Sequence, residues 1–419
     1  MDLKTYMLTK KESIRGLQVH ERAIEARKSK NFITSIIGPR RAGKTYFVYD
    51  LIRRAGLREE DFVLINFEEP LEIRELDEAI VEHHEIYGRE PTYIFLDEVQ
   101  SFKDWEKHVY SLYERKKYYL FVTGSSSRLL SREIATRLRG RAIPLYVFPF
   151  SFKEVLKING LELKKYYSYY EEAKMRHLLS SCLKRGFFPD VVLGNIDPFD
   201  FFKEYLDLVI YRDIVDRFGI RNRHSLEAFL KSCISSNTSP FSVHKVFNSL
   251  KSQGAKVSKK TLYAFQKIVE DINFGFFLRK FEWSRRKIEL SMPKFYLVDN
   301  AIYTYFERED AGKLLENTVF LELVKRGFKP NENLFYWRDL QGDEVDFILK
   351  EGNRVSSLIQ VTYASDRDEI KEREIKPLIK VSTELECNNL SVVTWSYEED
   401  LRLENKRIRF TPLWKWLTT

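Results

Sequence analysis

Eight residues, Gly38-Pro-Arg-Arg-Ala-Gly-Lys-Thr45, fit the pattern G-x-x-x-x-G-K-[ST] in full. That spacing serves phosphate chemistry. Gly38 and Gly43 let backbone N–H groups turn inward around phosphate oxygens, and Pro39, Arg40, Arg41 and Ala42 span the loop between them. Lys44 reaches the β- and γ-phosphates, and Thr45 offers a hydroxyl to Mg²⁺. With Tyr46, residues 38–46 form the expected binding set for ATP and Mg²⁺. The helix that begins here points its positive end at the anion.

About fifty residues on, the apolar run Tyr93-Ile-Phe-Leu delivers Asp97-Glu98. Asp97 would hold Mg²⁺, directly or through water, and Glu98 would orient and deprotonate the attacking water. Asn66 and Glu68 either line the same cleft or end a solvated strand. In Thr123-Gly-Ser-Ser-Ser127, Ser125 or Ser126 either senses the γ-phosphate or caps the following helix. Next comes Arg137-Leu-Arg139-Gly-Arg141. Arg139 and Arg141 either supply charge to a γ-phosphate across a subunit interface, or form a solvated basic turn, or pair with acids of the segment that follows. An arginine in the first role is worth about 10³–10⁵ in rate.

These groups need a scaffold. Phe32–Ile37, Phe62–Phe67, Tyr93–Leu96 and Tyr119–Val122 read as short buried strands, and the intervals suit helices such as Thr45–Arg54. The alternation predicts an α/β domain with a parallel sheet. Gln18–Lys30 is polar and reads as helical. From Ser151 to Leu193 the pattern is helical, with tyrosines at 166–170, and Gly194–Pro198 marks a boundary. Residues 200–290 read as mostly helical, closing on a strand pair at Asn273–Trp283 and Lys294–Val298. Strands at Val345–Leu349, Ser357–Val361 and Leu390–Trp395 predict a further small α/β domain.

The 419 residues allow two to four domains. With 43% hydrophobic and 32% charged residues, wholesale disorder and disulfide miniproteins are excluded. Cys182, Cys233 and Cys387 lie too far apart in sequence for a metal knuckle or a redox pair, which favours a reducing, cytoplasmic setting. The lysine-bearing start does not read as a signal peptide, and no apolar run approaches the roughly 18 residues of a membrane span.

Charge is concentrated. Between Arg221 and Lys287, 14 lysines and arginines stand against 4 acidic residues, a net +10 against +8 for the whole chain. Within this segment Ser242–Leu250 reads as a helix, Gln253-Gly254 breaks it, and Ser258 caps a second helix running to Glu270. Leu262, Phe265, Val269 and Ile272 share one face of that helix, leaving Lys259, Lys260, Tyr263, Gln266 and Lys267 outside. Helix, glycine turn and basic helix is the helix-turn-helix plan, and the strand pair after it would form a wing with Arg285, Arg286 and Lys287 at its tip. With Lys256 these basic residues either form the expected DNA contacts, mostly to phosphates, or stand solvated on a module used for oligomer or domain packing.

The ATPase-type motifs, together with Leu96-Asp-Glu-Val-Gln100 and Trp105, resemble those of archaeal AAA-type ATPases. So do Leu138-Arg-Gly-Arg141 with Pro149-Phe-Ser-Phe152, Gly186-Phe-Phe-Pro-Asp190, and Tyr211-Arg-Asp-Ile-Val-Asp216 with Ile220-Arg-Asn222. The resemblance covers most of the chain and is diffuse in the last third. It implies a P-loop AAA-type core over 1–150, a helical lid over 151–195, a winged-helix domain over 196–300 and a restriction-endonuclease-like α/β domain over 301–419. It also implies ATP hydrolysis.

A nuclease of that type needs carboxylates on a divalent metal and a lysine beside the attacking water. Glu316 lies on a helical stretch, and Asp346 in Gly342-Asp-Glu-Val-Asp-Phe-Ile348, with Glu344 on the same face by alternation. The acid-x-lysine expected on the next strand falls on Gln360-Val-Thr362, wrong at both positions. The expectation is therefore a retained fold without nuclease activity. The sequence points to an oligomeric ATPase that works on duplex or branched DNA. A nucleotide-dependent switch binding protein partners is the alternative, and an ATP-gated metal-dependent nuclease a third.

Overall fold

The computed structural model describes residues 2–124 and 140–419, so Ser125, Ser126 and Arg139 lie outside the described residues. The chain forms two units, one from residues 1–149 with 271–273 and the other from 150–270 with 274–419.

The first unit is built on five parallel strands: β1 (Ile33–Ile37), β2 (Phe62–Asn66), β3 (Tyr93–Asp97), β4 (Tyr119–Gly124) and β5 (Ala142–Tyr146). Their order is β2-β3-β4-β1-β5, so β4 separates the strand that enters the phosphate loop from the strand that carries Asp97. β1 is buried along its whole length, as a parallel sheet covered on both faces requires. Ile36, Phe47, Phe95 and Phe121 pack on one face, and Ile37, Ile65, Leu96 and Val122 on the other. Each such side chain contributes roughly 1.5–3 kcal/mol by leaving water.

Two elements depart from the expectation. A helix at Leu3–Gly16 opens the chain, started by the Asp2 carboxylate accepting the N–H of Thr5 at 2.9 Å. Residues 18–30, expected to be helical, contain no helix. Arg22 explains the difference. Its backbone N–H donates to Asp50 Oδ2 at 3.0 Å, and its buried guanidinium donates to the carbonyls of Ala42 (3.1 Å) and Phe148 (2.7 Å). Ile24 and Ala26 pack against the core. These tertiary bonds favour extended chain over a weakly patterned helix.

The second unit begins with helices Phe152–Ile158, Tyr169–Arg185 and Pro198–Leu208, the last running into wider π-helical turns at Val209–Asp216. Helices Arg223–Ser235, Val243–Ser252 and Lys259–Asp271 follow, interleaved with a small antiparallel sheet of β6 (Ser239–Pro240), β7 (Gly275–Leu278) and β8 (Lys294–Leu297) in the order β6-β8-β7. Ser242 caps the middle helix by accepting the N–H of Lys245, and Ser258 accepts the N–H of Thr261. The β7–β8 connection is not the plain hairpin expected. It contains a helix at Arg285–Leu290, so Arg285, Arg286 and Lys287 sit on a helical turn.

Helices Asn300–Phe306 and Ala311–Lys325 lead into a six-stranded mixed sheet. It comprises β9 (Leu334–Arg338), β10 (Glu344–Glu351), β11 (Arg354–Val361), β12 (Leu390–Thr394), β13 (Glu399–Leu403) and β14 (Lys406–Pro412), in the order β13-β14-β12-β11-β10-β9. Among the described residues no helix is long and apolar enough to cross a membrane. All three cysteines are free and buried.

Candidate nucleotide site

The site lies at the C-terminal edge of the first sheet, where β1, β2, β3 and β4 all end. Ile37 of β1 is opposite Gly124 of β4, and Asn66 of β2 is opposite Asp97 of β3. The register thus brings four chain segments to one edge.

Gly38 leaves β1 tight against the neighbouring chain. A Cβ there would lie 2.0 Å from the carbonyl oxygen of Val147, so only glycine fits. Gly43 adopts a left-handed conformation (φ 86°) and opens the helix Lys44–Arg54, where no side chain caps the first turn and no acid occupies it. Its N–H groups are therefore suited to an anion. Ala42 is fully buried, Arg40 and Arg41 are half-buried, and Tyr46 is exposed. Lys44 is buried, with its Nζ donating to the carbonyls of Gly38 (3.2 Å) and Pro39 (2.9 Å). The ammonium thus lies against the loop that it would serve.

Asp97 is the centre of the network and is only 1% exposed. Its Oδ2 accepts from Thr45 Oγ1 at 2.8 Å and from Asn66 Nδ2 at 3.1 Å, and its Oδ1 accepts from Thr123 Oγ1. Burial raises the Asp97 carboxyl above its ordinary range. The Thr123 hydrogen bond opposes the shift, the charge of Glu98 adds to it, and Thr45 and Lys44 oppose it further. A hydroxyl and a carboxylate in contact at this loop are the donor set that fits Mg²⁺, which would supply charge neutralisation at the phosphates.

Glu98 stands just past the strand in a left-handed conformation (φ 48°), which turns its side chain away from the strand direction. Its N–H donates to Thr123 Oγ1 at 3.0 Å, and its carboxylate accepts from Gln100 Nε2 at 2.5 Å. Asn66 thus joins the site. Glu68 donates its backbone N–H to Asn66 Oδ1 at 2.9 Å. Thr123 carries more of the site than its motif suggested. The available signal was a single hydroxyl at the end of the apolar run Tyr-Leu-Phe-Val. Arg22 and Tyr6 have no motif, yet Tyr6 Oη accepts the Asn66 N–H at 2.9 Å and donates to Glu69 Oε2 at 2.8 Å.

Arg141 is placed elsewhere. It precedes β5 at the opposite edge of the sheet, where its carbonyl accepts the N–H of Ile33, the first residue of β1. Its guanidinium pairs with Glu114 and donates to Tyr110 Oη at 2.6 Å. The length of β1, roughly 3.3 Å per residue, separates it from its own phosphate loop.

Lys256, Lys259, Lys260 and Lys267 are exposed, as are Arg285, Arg286 and Lys287. Leu262, Phe265 and Val269 are buried on the inner face of the Lys259–Asp271 helix. Glu316, Glu344 and Asp346 do come together, but around Lys294, a residue that no motif marks. Gln360 turns its side-chain oxygen to the backbone N–H of Asp346 at 3.3 Å, and Thr362 is buried. Among the described residues no three His, Cys, Asp or Glu side chains are disposed to hold a metal ion.

A parallel sheet in this order, with a glycine loop on one strand and an acid pair two strands away, defines a P-loop ATPase of the AAA type. Comparison with known proteins agrees. An AAA domain family matches residues 30–156, and two domains of unknown function, DUF8612 and DUF4143, match 176–312 and 311–416. The chain belongs to the same family as the uncharacterized protein MJ1544 of Methanocaldococcus jannaschii, to which it is 36% identical over 97% of this chain and 93% of that protein. An uncharacterized protein of Haemophilus influenzae is 27% identical over 80% of this chain and 84% of its own length. Among solved structures, the Walker-type ATPase PABY2304 of Pyrococcus abyssi is similar at a TM-score of 0.42 and 16% identity, covering 70% of this chain and 99% of that one.

Proposed function

We propose that this chain hydrolyses Mg-ATP and couples turnover to work on DNA through its basic helix pair. The observation that carries the ATPase reading is the meeting of Thr45, Asp97 and Glu98 beside the phosphate loop. In this reading Lys44 neutralises the β- and γ-phosphates, Thr45 and Asp97 hold Mg²⁺, and Glu98 takes the proton of the attacking water. Thr123 fixes Asp97 and the Glu98 backbone together.

Helices Arg223–Ser235, Val243–Ser252 and Lys259–Asp271, with the β6-β8-β7 sheet whose first strand lies between the first two of them, support the reading of residues 196–300 as a winged helix. The exposed Lys256, Lys259, Lys260 and Lys267, with Arg285, Arg286 and Lys287, support duplex or branched DNA as its ligand. Self-association belongs to the same reading. Arg139 would then serve a neighbour's nucleotide, whereas Arg141 is engaged by Glu114. Free, buried cysteines are in keeping with a reducing cytoplasm.

One observation favours a second reading, a nucleotide switch that binds protein. Tyr166, Tyr169 and Tyr170 are 78–83% exposed, a surface of the kind that partners cover. Steady-state ATP hydrolysis with and without duplex or branched DNA, over a salt series and with K44A as blank, separates the two. Stimulation that fades with salt supports the DNA reading, and turnover indifferent to DNA supports the switch.

A further inference from the structure

A buried cluster in the second unit plays no part in the ATPase chemistry. Lys294 on β8 has a side chain only 2% exposed, and its Nζ lies 2.6 Å from Glu316 Oε1, 2.7 Å from Glu344 Oε1 and 3.5 Å from Asp346 Oδ1. The four residues come from three elements: β8, the helix Ala311–Lys325 and strand β10. Tyr296 Oη donates to Glu316 Oε1 at 2.7 Å, and Arg338 lies 3.7 Å from the outer oxygen of Glu344. Asp346 Oδ2 takes the N–H of Val361 at 2.9 Å. The rings of Tyr296 and Tyr336 lie 5.9 Å from Nζ.

Three carboxylates this close to one another repel strongly and are expensive to bury unless a cation lies among them. In proteins that cation is commonly a divalent metal ion with oxygen ligands. Here a primary ammonium with three N–H donors stands among the three carboxylates. We propose that Lys294 is the resident cation of this carboxylate cluster, so that the chain closes it with its own side chain and only the removal of that side chain would leave the three acids to a divalent ion. Glu316, Glu344 and Asp346 neutralise Lys294 instead of recruiting metal. The same ion pairs fasten the sheet behind the basic helix to the six-stranded sheet. In keeping with this, the neighbouring carboxylates hold the Lys294 amine well above its ordinary range despite its burial.

The test is Mn²⁺ binding to the full chain without nucleotide, read from the electron paramagnetic resonance signal of the free ion. Wild type, K294R and E344Q should bind Mn²⁺ alike. K294M should bind about one further ion per chain, and K294M/E344Q should bind that ion at least about tenfold more weakly. Circular dichroism shows whether K294M is folded, and folding rescued by Mn²⁺ alone would support the proposal equally. Wild-type binding that E344Q weakens would overturn it. So would a folded K294M with no additional ion. Should K294M not fold with or without Mn²⁺, the comparison of wild type with E344Q decides.

Discussion

Thr45 donates its hydroxyl proton to Asp97 at 2.8 Å across 52 residues of sequence. That single bond joins the first turn of the phosphate-loop helix to the tip of β3, the geometry the proposed Mg²⁺ site requires.

Glu98→Gln should lower ATP turnover by about 10²–10⁴-fold while nucleotide affinity stays within a few fold, because only the proton acceptor is lost. Lys44→Ala should lower both. Steady-state hydrolysis beside equilibrium binding of a labelled nucleotide checks the contrast. Equal turnover in Glu98→Gln and wild type would remove Glu98 from the chemistry.

Thr123→Val keeps the shape of the side chain but removes the donor to Asp97 and the acceptor for the Glu98 N–H. An unsatisfied buried partner costs about 1–3 kcal/mol, and part of that loss should appear in turnover, at tenfold for each 1.4 kcal/mol. Urea unfolding and hydrolysis, measured together, give the two shares.

Gly38→Ala should be more damaging than its size suggests. The added methyl would lie 2.0 Å from a backbone oxygen, which cannot rotate away. A loss of about 3 kcal/mol or more in stability is expected, together with loss of nucleotide binding as the loop shifts. Calorimetry with and without ATP measures both.

On the DNA reading, Lys259→Ala with Lys260→Ala should reduce the slope of log affinity against log salt by up to about 1.8, near 0.9 for each phosphate left without its lysine. Fluorescence anisotropy on duplex DNA over a salt series reads the slope. An unchanged slope would take the Lys259–Asp271 helix out of the interface.

Asp299 is fully buried and accepts the N–H groups of Phe187 (2.7 Å) and Ala301 (2.9 Å). Burial raises its carboxyl to about 6, although both hydrogen bonds oppose the shift. Between the ordinary carboxylate value near 3.8 and about 6, the folded chain holds a proton that the unfolded chain has lost. The contribution of this group therefore falls as pH rises through that window, by roughly 3 kcal/mol. Asp299→Asn should flatten that part of the profile at a pH-independent cost, which denaturant midpoints from pH 4 to 7 would show.

The residues legible in the sequence were those whose chemistry is fixed locally. Gly38, Gly43, Lys44 and Thr45 stand in one loop, and Asp97 and Glu98 follow one apolar strand, so residue type and spacing marked them. Gln18–Lys30 misled because its polarity suits a solvated helix, while the bonds of Arg22 to Asp50, Ala42 and Phe148 depend on chain far away. The edge occupied by Arg141 follows from the direction of β5, which its sequence does not declare. Lys294 illustrates the same limit. A lysine at the start of an aromatic strand has no motif, and only the folded chain shows three carboxylates around it.

The placing of β4 between β1 and β3 also sets a clearance. Two strand spacings, about 9–10 Å, separate the roots of the glycine loop and the acid pair, and backbone ladders maintain that gap. The opening resembles a jaw of fixed width. It cannot narrow on a nucleotide without tearing a ladder, so on the proposed ATPase reading closure at the phosphates within this sheet falls to side chains and to the loops at the strand tips.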